Sequence, residues 1–219
     1  MGGVYVTGHS LGGPEAILYA WSRVRRGLPV DGVYVFGCPR PGDAELGVLM
    51  SHVPIMRSIR NACGGFPDYD LVTAVPFDIE AFLNYANCAP FEDIAEPAAP
   101  DDPWSLFRYH HSQLYLAGCA KLPPTGSGAN VELMDAIQAV QDLYDGVGPW
   151  SWTNFIDGQY CAVRTFDGAK LAAFRGSATT LDWIRDLDTT QTDLYGAKVS
   201  RGFWACPSAV QAALDRELV

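Results

Sequence analysis

The sequence predicts an α/β fold built on a mostly parallel central sheet with helices on both faces. Two observations carry this prediction. Short β-branched and aromatic runs alternate with a helical pattern: Val4-Tyr5-Val6-Thr7, then Glu15 to Arg26, then Val33-Tyr34-Val35-Phe36. Strand, helix and strand at this spacing make a parallel βαβ unit. The composition, 48% hydrophobic and 18% charged over 219 residues, is that of a chain with a single buried core.

Each element has its own local reason. Val4 to Thr7 is strand-forming. Gly8 to Gly13 is a tight turn, and Pro14 suits a first helical turn, where its missing N–H costs little. The helix over Glu15 to Arg26 ends on basic residues and Gly27. Glu45 to His52 is predicted as a short helix and Pro54 to Ile59 as a third strand. Ile79 to Ser105 is Pro-rich and acidic and reads as a long excursion. Leu114 to Leu116 reads as a strand end. Lys121 to Ala129, with Pro-Pro-Thr-Gly-Ser-Gly, reads as a linker. Val131 to Tyr144 has apolar residues at helical spacing. Tyr160 to Thr165 and Leu171 to Phe174 flank Asp167-Gly168, a hairpin signal. Pro207 to Leu218 is a final amphipathic helix.

The formal net charge of -10 argues against nucleic acid and anionic lipid as partners, because phosphate contact needs a basic face. It leaves a neutral lipid interface or a small neutral ester open. No apolar run reaches the roughly 18 residues of a membrane span, so no transmembrane segment is expected. Met1 leads at once into Gly-Gly and a strand, so no signal peptide is visible. Secreted and cytoplasmic locations both stay open. Cys38, Cys63, Cys88, Cys119, Cys161 and Cys206 are scattered without a Cys-x-x-Cys pair, which argues against zinc and leaves the disulfide state open.

The chemistry-bearing motif is Gly8-His9-Ser10-Leu11-Gly12, with a strand before it and a helix after it. That context fits a nucleophile turn: the sharp strand-to-helix bend exposes Ser10, and the helix start supplies N–H groups for an oxyanion. Val4 to Gly13 resembles the nucleophile segment of the class 3 lipases, the family of fungal triacylglycerol lipases and feruloyl esterases. Val35-Phe36-Gly37-Cys38-Pro39-Arg40-Pro41-Gly42-Asp43 is similar to the family's next strand and its Gly-x-Pro-Arg-x-Gly-Asn turn, departing only in Asp43. The resemblance implies an α/β-hydrolase fold.

A serine nucleophile needs a base and an orienting carboxylate, in chain order Ser, Asp, His. Asp70-Leu71-Val72-Thr73-Ala74-Val75-Pro76 resembles the family's Asp-x-Val-Pro-x-x-Pro stretch and selects Asp70 over Asp68. The alternative is that both are turn residues after Pro67. His52 is out of order, and His9 occupies a position that is structural in the family. The segment from Tyr109 to Leu116 resembles the family's His followed by a short strand. A gapless match places the base at His110; the pattern Tyr-x-His-Ser points instead to His111.

Family members carry their oxyanion residue upstream of the nucleophile. Here Leu171-Ala172-Ala173-Phe174-Arg175-Gly176-Ser177, Leu181-Asp182-Trp183-Ile184-Arg185-Asp186-Leu187 and Val199-Ser200-Arg201-Gly202-Phe203 resemble that upstream half, yet follow the nucleophile. The resemblance therefore implies a circularly permuted single domain over 1–219. A nucleophile, Asp and His half (1–120) would be joined by a linker (121–129) to an oxyanion and lid half (130–219). It implies an oxyanion hole from Leu11 and Ser177. It also implies a lid in which Leu181, Trp183 and Ile184 present an apolar, substrate-binding face; an ordinary surface helix is the alternative.

The expected function is a serine ester hydrolase, foremost a triacylglycerol lipase acting through an acyl-enzyme on a small-molecule or lipid ester, with transient contact at a lipid interface. No cofactor and no metal are expected. The alternatives are a feruloyl-type or general carboxylesterase, and a catalytically silent lipid-binding protein on the same fold.

Overall fold

The computed structural model describes residues 2–62, 70–74, 85–97, 109–125, 131–156, 159–176 and 190–219. Strand β1 (Val4–His9) runs into helix α1 (Gly12–Arg25), which returns to β2 (Gly32–Phe36). The two strands pair in parallel, with Tyr5 opposite Gly32 and His9 opposite Phe36, as the crossover helix requires. After the two-residue β3 (Gly42–Asp43) and helix α2 (Ala44–Met50), β4 (Ile55–Asn61) joins β2, again parallel. A single 3-10 turn spans Leu71–Ala74. There follow β5 (Tyr85–Ala86), β6 (Phe91–Ile94), α3 (Ser112–Cys119) and α4 (Leu133–Asp145). The rest is β7 (Trp152–Ile156), β8 (Gln159–Phe166), β9 (Ala169–Arg175), β10 (Gln191–Leu194), β11 (Ala197–Ser200) and α5 (Arg201–Glu217).

Among the described residues the main sheet has the order β6-β4-β2-β1-β9-β8-β7. It is parallel from β6 to β9; the hairpin β9–β8 and strand β7 extend it antiparallel. Asp167 (φ 43°) and Gly168 (φ 82°) make the β8–β9 turn, and two successive positive φ values match the right-handed twist of the strands. A small antiparallel sheet of β10, β11, β3 and β5 lies apart from it.

Strand β1 lies inside the sheet and is buried on both faces. Val4 and Val6 pack with Ile17, Phe203 and Leu214 on the α1 and α5 side, whereas Tyr5 joins Ile137 and Val140 on the α4 side. The same alternation recurs in β2 and β9. It explains why these strands read as continuous apolar runs. No helix among the described residues is long and apolar enough to cross a membrane. Cys38, Cys88, Cys119, Cys161 and Cys206 are not joined in disulfides, and Cys63 lies outside the described residues.

An ion pair locks α1 to α5. Arg23 Nη1 lies 2.8 Å from Asp215 Oδ1, with Arg23 only 2% exposed, and the Tyr19 hydroxyl donates to the same oxygen at 2.8 Å. Burial alone would raise the Asp215 carboxyl. The hydrogen bonds from Arg26 and Tyr19 and the charges of Arg26 and Arg23 outweigh it, so the net shift is downward. Asp215→Ala strands a buried guanidinium and should cost about 2–4 kcal/mol, measured as a denaturant midpoint at pH 7. A depressed carboxylate contributes fully above its unfolded value and loses the contribution as pH falls through its folded value. The gap between wild type and variant should therefore close below about pH 4.

Three sequence expectations need correction. Leu114 to Leu116 belongs to α3, not to a strand; its buried residues Tyr115, Gly118 and Cys119 follow helical spacing, which three apolar residues alone cannot reveal. The Ile79 to Ser105 excursion contains β6, which adds to the main sheet beside β4. Its acidity is that of an edge strand: Arg57 Nη2 lies 2.5 Å from Glu92 and Arg60 Nε 2.9 Å from Asp93. The last helix begins at Arg201, directly after β11, so Pro207 lies inside it rather than at its start. Phe203, Cys206, Val210 and Leu214 bury one face, and that burial outweighs the single hydrogen bond a proline removes.

Candidate active site

The turn between β1 and α1 has the geometry the motif calls for. Ser10 takes φ 57°, in the left-handed region where a residue with a Cβ is strained. Two backbone bonds hold it there: Ser10 N–H donates to the Phe36 carbonyl at 2.9 Å, and Gly13 N–H to the Ser10 carbonyl at 2.9 Å. The flanking glycines are required by close approach. A Cβ on Gly8 would lie 2.0 Å from the Gly12 oxygen, and one on Gly12 2.2 Å from the Phe174 oxygen. Both obstacles are backbone, so Gly12→Ala should either misfold or lose more than about 3 kcal/mol, readable as a loss of soluble protein or of thermal midpoint.

Asp70 is brought to the end of β4 by its N–H bond to the Asn61 carbonyl at 2.9 Å. Its side chain, 1% exposed, is held from three directions. Oδ1 accepts from Val72 N–H at 3.0 Å. Oδ2 accepts from His110 Nδ1 at 2.6 Å and also from the Tyr115 hydroxyl. Burial, and then the charge of Asp70, push the Tyr115 phenol well above its ordinary value, so it remains a donor. Of the two adjacent histidines, the ring that Asp70 holds is that of His110. His111 takes the N-cap position of α3, with extended backbone.

His9 sits between these groups. Its ring stacks on His110 with centroids 4.6 Å apart and meets Tyr115 edge-on at 5.3 Å. Nε2 is 2.8 Å from the His110 carbonyl and Nδ1 3.0 Å from the Tyr144 hydroxyl. Burial, then the neighbouring His110, lower its pKa well below the ordinary histidine value.

Strand β9 lies parallel to β1, with Phe174 opposite Gly8. This carries Gly176 onto Ser10: a Cβ there would fall 2.5 Å from Ser10 Cβ. Leu11 precedes the first turn of α1, at the positive end of the helix. Ser177, Leu181, Trp183 and Ile184, as well as Asp68, lie outside the described residues. Asp43, where the family turn has Asn, caps α2 by accepting from Leu46 N–H at 3.2 Å and reaches Lys198 N–H at 3.1 Å. Among the described residues no three His, Cys, Asp or Glu side chains are grouped to hold a metal ion.

Sequence reasoning missed two contributors, Tyr115 as a second donor to Asp70 and Tyr144 as a partner of His9. Tyr115 stands five residues after His110, a spacing that no helix face shares, and nothing local marks Tyr144.

Residues 3–79 match the family model for lipase (class 3). Over 113 residues the chain is 35% identical to a triacylglycerol lipase of Arabidopsis thaliana, a match covering 45% of this chain and 20% of the relative. The chain thus spans about a fifth of that curated relative's length. The segment 3–79, which carries Ser10 and Asp70, is similar to the class 3 lipases, whose fold is the α/β-hydrolase fold.

Proposed function

We propose that the protein is a triacylglycerol lipase that works through Ser10, His110 and Asp70. The observation that carries the reading is the Asp70–His110 pair, 2.6 Å apart, with the His110 ring stacked on His9, the chain neighbour of a serine held at φ 57° between a strand and a helix. In this mechanism Ser10 Oγ attacks the ester carbonyl while His110 Nε2 takes its proton. Asp70 keeps the Nδ1–H tautomer and stabilises the imidazolium. The tetrahedral oxyanion is met by the N–H of Leu11 and by Ser177. Its collapse expels the alcohol, which takes the proton from His110. Water, deprotonated by His110, then releases the acid and restores Ser10.

The order of the halves is proposed to be a circular permutation of the family's. In support, β9, which leads to Ser177, lies directly beside β1 although it follows it in sequence. Tying 1–120 to 130–219 through 121–129 keeps both as one domain.

A chain-length series of esters tests the substrate class. Preference for long acyl chains, with activation at an interface, is expected. A preference for feruloyl or short acyl esters would assign a carboxylesterase instead. Absence of labelling by a fluorophosphonate probe would sink the hydrolase reading in favour of a silent lipid-binding protein.

A further inference from the structure

We propose that His9 and Tyr144 form a positioning strut that ties helix α4, where it meets the end of β9, to the backbone of His110. The proposal rests on the ester-hydrolase reading above and deepens it.

The strut is a pair of hydrogen bonds whose direction is set at the His110 end. There the His110 carbonyl can only accept, so His9 Nε2, 2.8 Å away, must carry the proton. On the other side of the ring Tyr144 has one proton to give, and its oxygen lies 3.0 Å from His9 Nδ1. A neutral imidazole protonated on Nε2 has its lone pair on Nδ1. Burial of His9, 3% exposed, favours that neutral form. The sequence Tyr144 O–H to His9 Nδ1, then His9 Nε2–H to the His110 carbonyl, is therefore internally consistent in one sense only.

Its position gives it leverage. His9 stacks on the His110 ring with an interplanar angle of 27° and adjoins Ser10 in the chain. Gly176 backs on Ser10 so closely that a Cβ there would lie 2.5 Å from Ser10 Cβ and 2.7 Å from the Tyr144 oxygen. Tyr144 belongs to α4, outside the segment 3–79 that carries the family match. A shift of Tyr144 is thus felt at Ser10, at the end of β9 and at His110 together.

Tyr144→Phe and His9→Phe, singly and together, test the strut on a soluble p-nitrophenyl ester. Rates are normalised to Ser10 titrated to completion with a fluorophosphonate. Each single variant should lose about 10- to 100-fold in kcat with KM within about twofold, because misplaced groups cost rate rather than binding. The double variant should lose no more than the worse single one. Wild-type kcat per titrated Ser10 in Tyr144→Phe, or fully additive losses, would overturn the strut. For a variant that does not fold, the ¹⁵N imidazole spectrum of His9 in the wild type replaces it. An Nε2–H tautomer is expected, and an Nδ1–H tautomer or an imidazolium at neutral pH overturns the chain. A wild type inactive on every ester would sink the proposed function, while the His9 spectrum, which needs no activity, still decides the strut.

Discussion

Ser10→Ala is expected to lower ester hydrolysis by at least about 10⁴-fold, to the level set by binding and the oxyanion donors alone. The loss should fall on kcat, since in the proposed mechanism Oγ is the atom that forms the bond. The fold should survive: the turn is held by Ser10 N–H to Phe36 and by Gly13 N–H to the Ser10 carbonyl, and neither bond involves the hydroxyl. A second variant separates chemistry from strain. Ser10→Gly removes a Cβ from a residue at φ 57°. It should be as stable as wild type or up to about 1 kcal/mol more stable, the relief of strain being offset by glycine's larger entropy loss. Steady-state kinetics with matched thermal melts check both. Substantial turnover in Ser10→Ala would remove Ser10 as the nucleophile.

Asp70 should be nearly as sensitive, and its two obvious replacements should fail differently. Asp70→Asn keeps the shape but turns an amide toward His110 Nδ1, favouring the wrong tautomer. A loss of about 10³- to 10⁴-fold in kcat is expected, with the protein folded. Asp70→Ala leaves His110 Nδ1–H, the Tyr115 hydroxyl and Val72 N–H without their shared acceptor. It should lose the same activity and also about 2–4 kcal/mol of stability, since orphaned buried donors each carry a desolvation cost. Near-normal kcat in Asp70→Asn would mean that the carboxylate serves only as a turn residue.

The parts of this site that are legible in the sequence are those written within a short span. A strand, the turn Gly8 to Gly12 and a helix need only neighbouring residues, and the steric demand behind both glycines arises within the turn or one strand away. Asp70 was readable because its motif is contiguous. The acidic excursion hid β6 because edge-strand charges satisfied by Arg57 and Arg60 look, in sequence, like loop charges. Likewise, Leu114 to Leu116 hides its place in α3 because three apolar residues fit either period.

By itself the sequence determined a parallel α/β sheet, a serine at a strand–helix turn and an Asp followed by a pair of histidines, because propensity, periodicity and turn chemistry act over a few residues. The tertiary structure alone decided which histidine Asp70 holds, that Tyr115 shares that carboxylate, and that Tyr144 reaches His9. Those outcomes depend on where α3 and α4 land on the far face of the sheet, and packing between elements distant in the chain leaves no local mark.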